Sequence, residues 1–330
     1  MAGTKEELLA LLERNRGEFL SGEEAAEQLH ISRTAVWKAV NGLRKDGYEI
    51  NAVPNKGYSL SVNTDILSAQ GISRYLNPVC GGLRLQVLPE VDSTNTRLKE
   101  RAAAGAGEGT VIAAGSQTAG KGRLGRRFYS PSDTGIYLSL LLRPDTWPTE
   151  QAVGITTMAA VAACEAIEAL GERTAQIKWV NDVFMDGKKV SGILTEASMG
   201  LENGHLEYVI VGIGFNAYPP AGGFPEELGD IAGAVFLKRE SDGKNRLAAE
   251  FLNRFMAYYT SENHRDYVEE YRKRSLVTGK DILVLKRDGA KKAKALDVDR
   301  DCRLLVEYEN GEREKLSSGE ISVRLARTDG

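Results

Sequence analysis

The chain is poor in the residues that build disulfides and metal sites: three cysteines and three histidines in 330 residues. Cys80, Cys164 and Cys302 are far apart and odd in number, which fits a reducing compartment and neither a disulfide framework nor a cysteine-ligated metal. His30, His205 and His264 are equally scattered, which argues against a histidine-ligated metal. No apolar run approaches the roughly 18 residues that a membrane helix needs, and MAGTKEELLALLERNRGEF has no signal-peptide core. These absences predict a cytoplasmic protein with no membrane segment. Internal repeats and low-complexity tracts are lacking as well. What remains, 42% hydrophobic and 27% charged residues, is ordinary globular material, long enough for two or three domains.

The net charge of −3 argues against a chain that coats nucleic acid indiscriminately, but the charge is unevenly spread. Residues 1–30 hold three basic and seven acidic side chains, whereas residues 31–60 hold five basic (Arg33, Lys38, Arg44, Lys45, Lys56) and two acidic (Asp46, Glu49). Leu8, Leu9, Leu11 and Leu12 predict a first helix from about Thr4 to Arg14, and Ser21 or Gly22 opens a second that buries Ala25, Ala26 and Leu29. Ser32 is a good N-cap for a third helix burying Val36, Val40 and Leu43. Its outer face presents Arg33, Thr34, Lys38 and Asn41, while Trp37 is expected to pack. Residues 48–51 and 58–61, joined by Val53-Pro-Asn-Lys-Gly57, read as a β-hairpin. Three helices and a hairpin describe a winged helix-turn-helix, with a protein-interaction bundle as the competing reading. The capped basic helix and the Lys-Gly-Tyr wing favour DNA, through Ser32, Arg33, Thr34, Lys38 and Lys56.

After a connector with a short helix near residues 68–76, strands and helices alternate from Leu83 to about Asn216. Strands are predicted at 85–89, 110–114, 135–142, 176–179, 183–185, 189–196 and 208–215. Helices are predicted at 95–104 and 149–170. The Asp186-Gly187 turn joins two strands as a hairpin, so the sheet is mixed and not doubly wound. Helices follow at 245–259 and 264–273. From Gly279 only short strands remain (281–286, 292–298, 304–309, 315–316, 321–324), which read as a small β-barrel.

Gly120-x-Gly122-x-x-Gly125 spells the dinucleotide fingerprint, but that site needs a helix directly after the glycines. Arg126-Arg-Phe-Tyr-Ser-Pro131 cannot open one cleanly, so the reading fails on context. His264-Arg265-Asp266 mimics a kinase catalytic loop, yet Tyr271 stands where its metal-binding Asn would be and no Asp-Phe-Gly exists. What is left of the glycine loop is a mobile segment carrying Lys121, Arg123, Arg126 and Arg127. It is either a solvated basic loop or a clamp for phosphate or carboxylate. Other segments favour the clamp. Asp92-Ser-Thr-Asn95 sits at a strand-to-helix junction, Lys178-Trp-Val-Asn-Asp182 gathers a cation, an amide and a carboxylate, Lys189 and Gly192 lie on the next hairpin strand, and Gly212-Ile-Gly214-Phe-Asn216 permits close backbone approach.

Together these segments resemble the biotin–protein ligase family, in its bifunctional bacterial form that also represses the biotin operon. The resemblance spans nearly the whole chain, including Ser32-Arg-Thr-Ala-Val-Trp-Lys38 and a barrel ending Ser318-Gly-Glu-Ile-Ser322. It departs at Val180, Lys121, Cys302 and Phe128, where relatives often carry Pro, Arg, Gly and Trp.

The resemblance implies an α+β multidomain chain. A winged helix-turn-helix would occupy 1–63, a mixed α/β-sheet ligase domain of the biotin/lipoate type 64–277, and an SH3-like barrel 278–330. It implies that ATP, with Mg²⁺, converts biotin to biotinyl-5′-AMP, and that a lysine of the biotin carboxyl carrier domain of acetyl-CoA carboxylase takes the biotinyl group. Arg123 and Lys189 would be catalytic. Ser93, Thr94, Asn95, Gln117, Lys121, Gly122, Arg123, Trp179, Lys189 and Gly192 would bind biotin. Gly120, Arg123, Arg126, Phe128, Asn181 and Asn216 would bind ATP, and Asp182 would help hold Mg²⁺. An adenylate-bound homodimer would then bind operator DNA. The competing function is a biotin-sensing regulator without ligase activity, which would have no need of Arg123, Asp182 and Lys189 together.

Overall fold

In a computed structural model of the chain, residues 3–144, 152–199, 206–286, 289–317 and 322–325 are described. Helices α1 (Thr4–Arg14), α2 (Gly22–Gln28) and α3 (Arg33–Lys45) precede the antiparallel strands β1 (Ile50–Val53) and β2 (Gly57–Leu60). The caps are those the sequence offers. Ser21 Oγ accepts from the Glu24 amide at 3.1 Å while Glu24 Oε2 accepts from the Ser21 amide at 2.9 Å, and Ser32 Oγ accepts from the Ala35 amide at 3.1 Å. Leu8, Leu12, Val36, Val40, Leu43 and Leu60 close a separate core beneath the hairpin. This is a winged helix-turn-helix.

Short α4 (Ala69–Ser73) leads into a seven-stranded sheet. Its strands are β3 (Arg84–Leu88), β4 (Thr110–Ala114), β5 (Gly135–Leu142), β6 (Gln176–Lys178), β7 (Asp182–Met185), β8 (Lys188–Met199) and β9 (Leu206–Asn216), in the order β3-β4-β5-β9-β8-β7-β6. Only β3 and β4, joined through α5 (Thr94–Ala103), are parallel. The mixed sheet is therefore as the hairpin turns predict. Helices α6 (Ala152–Ala169) and α7 (Gly243–Tyr259) cover one face and α5 the other. Both faces being covered explains why β5 is buried along its whole length and apolar except at Ser139.

Two helix predictions change. Of the predicted helix at 264–273, only α8 (Val268–Lys273) forms. Asp266 accepts instead from the Ser261 hydroxyl and the Asn263 side-chain amide, and such local polar bonds compete with helix. Positions 149–151 of the long predicted helix lie outside the described residues.

The last strands, β10 (Asp281–Lys286), β11 (Gly289–Val298), β12 (Leu304–Tyr308), β13 (Arg313–Leu316) and β14 (Ser322–Leu325), form an antiparallel sheet in the order β13-β12-β11-β10-β14. This is the small all-strand unit expected, an antiparallel sheet; residues 318–321 of its predicted end lie outside the described residues. Its apolar residues, among them Ile282, Val298 and Leu304, belong to the same continuous core as the central sheet. The Trp179 indole N–H donates to the Cys302 carbonyl at 2.9 Å, and the Tyr271 hydroxyl donates to the Val180 carbonyl at 3.1 Å. The three cysteines are buried and unpaired, and burial pushes the Cys80 and Cys302 thiols up to about 11, which makes them poor nucleophiles. Among the described residues no helix is long and apolar enough to cross a membrane.

Candidate active site

The α5 face of the sheet carries a cleft whose floor is set by the pleat. Alternate residues of a strand point to one face, so Ile210, which packs under α5, shares its side with Gly212 and Gly214. Across the ladder Gly192 pairs with Gly214 and Leu194 with Gly212. Missing side chains make room here: a Cβ on Gly212 would stand 2.0 Å from Asn95 Oδ1, and one on Gly214 would stand 2.5 Å from the Phe128 ring. The glycines are thus required by close approach and not by backbone strain.

At one end of the cleft lies the start of α5. Ser93 is its N-cap, and the Thr94 amide donates to Gln117 Oε1 at 2.9 Å. The Ser139 hydroxyl sits 2.6 Å from Asn95 Oδ1 and 2.8 Å from Thr94 Oγ1, and Asn95 Nδ2 donates to Glu196 at 2.9 Å and to the Leu194 carbonyl at 3.2 Å. Gln117 Nε2 donates to Ser130 Oγ at 3.0 Å. This polar chain joins the helix start to the segment after the glycine loop. Asn95 is so fully engaged that it braces the end of the cleft. Ser139 and Glu196 were missed by the sequence reading, although a lone serine in the apolar run of β5 was a visible signal.

The loop, read from the sequence as a mobile glycine-rich segment, is held here by backbone hydrogen bonds. The Gly122 amide donates to the Arg126 carbonyl at 2.7 Å and the Phe128 amide to the Gly120 carbonyl at 3.0 Å, closing a small hairpin. Leu124 and Gly125, with φ of 58° and 71°, make its tip. Arg123 Nη1 donates to Asn181 Oδ1 at 3.1 Å, and Asn181 Nδ2 holds the Ile193 carbonyl at 2.8 Å. Burial pulls the Arg123 guanidinium below its ordinary range, against the opposing pull of the Asp182 charge. A cation this desolvated is stabilised by an anion placed beside it. Lys189 Nζ forms a 2.6 Å bond with Asp182 Oδ1, both side chains being about a quarter exposed (27% and 25%), and lies 5.8 Å from the centre of the Phe128 ring.

The structure therefore brings Ser93, Thr94, Asn95, Gln117, Lys121, Gly122, Arg123, Arg126, Phe128, Asn181, Asp182, Lys189 and Gly192 to one cleft. It does not bring three others there. Trp179 points from the sheet into the C-terminal unit, because β6 ends by turning its indole toward Cys302. Gly120 does not line the cleft, and a side chain there would run into Phe128 O and Ser130 Oγ; Asn216 Nδ2 is spent on the Gly233 carbonyl at 3.0 Å. Ile193, Leu194 and Ile213 add an apolar lining that sequence reading did not single out.

On the winged domain Ser32, Arg33, Thr34, Lys38 and Lys56 are all exposed, as expected. Trp37 is not packed: it is 56% exposed, because its place on α3 lies outside the stripe of Val36, Val40 and Leu43 that meets the core.

Clustered cations facing a helix start, one carboxylate and a partly apolar floor suit a ligand with an acidic and an apolar part. The comparisons agree. Residues 87–216 match the model of the Biotin/lipoate A/B protein ligase family, residues 4–59 an HTH domain, and residues 277–324 the biotin protein ligase C-terminal domain. The chain is 35% identical to the bifunctional ligase/repressor BirA of Bacillus spizizenii, covering 97% of this chain and 98% of that protein. It is 31% identical to that of Escherichia coli K12, covering 97% of each. The biotin protein ligase of Aquifex aeolicus, solved in complex with biotin and ATP, superposes with a TM-score of 0.62 at 29% identity, over 74% of this chain and 99% of that one. The chain belongs to the biotin protein ligases, in the bifunctional ligase/repressor group.

Proposed function

We propose that the chain joins ATP-dependent activation of biotin, and its transfer to a carrier lysine, to ligand-dependent repression of transcription in the cytoplasm. In the first step a biotin carboxylate oxygen attacks the α-phosphorus of ATP and pyrophosphate leaves, giving biotinyl-5′-AMP. In the second the ε-amine of a carrier lysine attacks the acyl carbon, AMP leaves, and the amine loses a proton. A carboxylate and a triphosphate repel one another. Arg123 and Lys189, fixed on one cleft, would offset that repulsion and the charge that develops at the α-phosphate. Arg126, Asn181 and Phe128 would serve the nucleotide, and Ser93, Thr94, Gln117, Lys121 and Gly122 the biotin head. The acceptor would be a biotin carboxyl carrier domain of the acetyl-CoA carboxylase kind.

Mg²⁺ takes few protein ligands and arrives with phosphate oxygens. Asp182 fits that need, since it presents a part-exposed carboxylate in the cleft and gives one oxygen to Lys189. Bound there with the triphosphate, the ion would neutralise phosphate charge. The observation that carries the reading is the convergence of Arg123, Asn181, Asp182 and Lys189 opposite the start of α5. Incubation with ATP, Mg²⁺, biotin and a carrier domain, scored by carrier mass, tests it: an unchanged mass would leave only a biotin-sensing regulator. For the repressor half, adenylate would promote a homodimer that sets two winged domains on a palindromic operator. Anisotropy titration with and without biotin and ATP tests this half, and DNA binding indifferent to them would sink it.

A further inference from the structure

Trp37 is an indole, more than half exposed, on a helix face otherwise polar and basic. Arg33, Thr34, Trp37, Lys38 and Asn41 follow one another at intervals that keep them on one side of α3. The ring stands at the edge of that stripe nearest the wing, where it shares a groove with Arg33 of its own helix and with Val53, Pro54 and Asn55 of the β1–β2 turn. Among the described residues, Arg33, Lys38 and Lys56 are exposed and held in no ion pair: Arg33 lines the groove opposite Glu23, Lys38 follows Trp37 on α3 and Lys56 belongs to the β1–β2 turn, so all three are open to phosphate. An apolar ring cannot itself answer a phosphate. In the major groove of DNA the apolar group on offer is the thymine C5-methyl, which lies at the groove's edge beside the backbone of its own strand.

We infer that Trp37 is a specificity-determining residue that reads thymine by covering its methyl group, while Arg33 and Lys38 hold the flanking phosphates. This rests on the reading of the winged domain as an operator binder and adds what that domain recognises. Charge favours DNA over a second copy of the chain, since two such basic faces would repel.

The test begins by selecting duplexes from a random pool with the full-length chain, biotin, ATP and Mg²⁺. The best duplex is then remade with uracil for thymine, which removes the methyl and leaves base pairing intact. The unaltered chain should bind the uracil duplex about fourfold more weakly for each methyl covered, the effect of one buried methyl group. Trp37→Ala should bind the thymine duplex about tenfold more weakly and no longer distinguish uracil from thymine, while its carrier biotinylation stays unchanged. Undiminished affinity of Trp37→Ala, or a uracil penalty that it retains, overturns the inference and leaves the operator reading standing. A change in self-association with DNA affinity unaltered also overturns it, assigning the ring to a contact between copies. If no sequence is enriched by the unaltered chain, the operator reading falls and the inference falls with it.

Discussion

Arg16, in the turn after α1, donates to Asp242 at the start of α7 at 3.0 Å, and the two side chains are only 3% and 2% exposed. The same guanidinium pairs with Glu13 and donates to the Thr64 carbonyl at 2.8 Å. Asp242 also accepts from Asn245, whose amide holds the Ile66 carbonyl and whose Oδ1 accepts from the Ser68 amide. The winged domain is therefore docked onto the first turn of α7 by a sealed ionic network. Removing one partner of such a network strands the others without water. Arg16→Met should lower stability by about 3–5 kcal/mol in denaturant titrations. A loss below about 1 kcal/mol would mean that water reaches Glu13 and Asp242.

Arg123 is expected to retain adenylate more than to make it. Arg123→Gly should still form biotinyl-5′-AMP but release it, so that bystander lysines become biotinylated in proportion to their exposure. Mass spectrometry of an added inert protein measures this. A variant both inactive and non-leaky would contradict the role.

Lys189 and Asp182 should separate in their effects although they touch. Lys189→Ala should slow adenylate formation by about 10²–10³, the usual cost of losing one group that stabilises developing charge. Asp182→Asn should chiefly raise the Mg²⁺ concentration needed for half-maximal rate. Pyrophosphate release followed against Mg²⁺ gives both quantities, and equal Mg²⁺ curves for Asp182→Asn and the unaltered chain would remove Asp182 from metal binding.

Gly214→Ala should push the Phe128 ring off the sheet and cost about 1–3 kcal/mol through overpacking. Adding Phe128→Ala should return most of that stability but not the ATP affinity, because the ring is the obstacle and also the proposed nucleotide contact. Stability that does not recover in the double variant would place the strain elsewhere.

The winged domain was legible because its signals are local: caps at Ser21 and Ser32, a leucine stripe, and a turn built on Pro54, Asn55 and Gly57. The central strands were legible for the same reason, with turns such as Asp186-Gly187 setting the pairing. The loop from Gly120 to Arg126 was legible as a cation cluster, but not as a hairpin, since its hydrogen bonds depend on Phe128 settling over Gly192 and Gly214. Trp179 and Trp37 were placed wrongly, each because an indole's surroundings are decided by distant chain. Trp179 finds Cys302 across more than a hundred residues, and the Trp37 side of α3 is left bare because, among the described residues, no later element folds over it. The Arg16–Asp242 link spans a still longer separation, and neither residue's own neighbourhood announces it.

The bond from Trp179 to Cys302 alters what the C-terminal sheet is for. Two residues beyond that indole stands Asn181, which holds Arg123, and next to it Asp182, which holds Lys189. Deleting the terminal strands would strip the shared core from one side and release the stem on which both of these contacts are carried. A shortened chain would then lose catalysis without losing any residue of the cleft. Interchange of that terminal unit between related proteins should succeed only when the donor also supplies a carbonyl at the Cys302 turn for the indole to find.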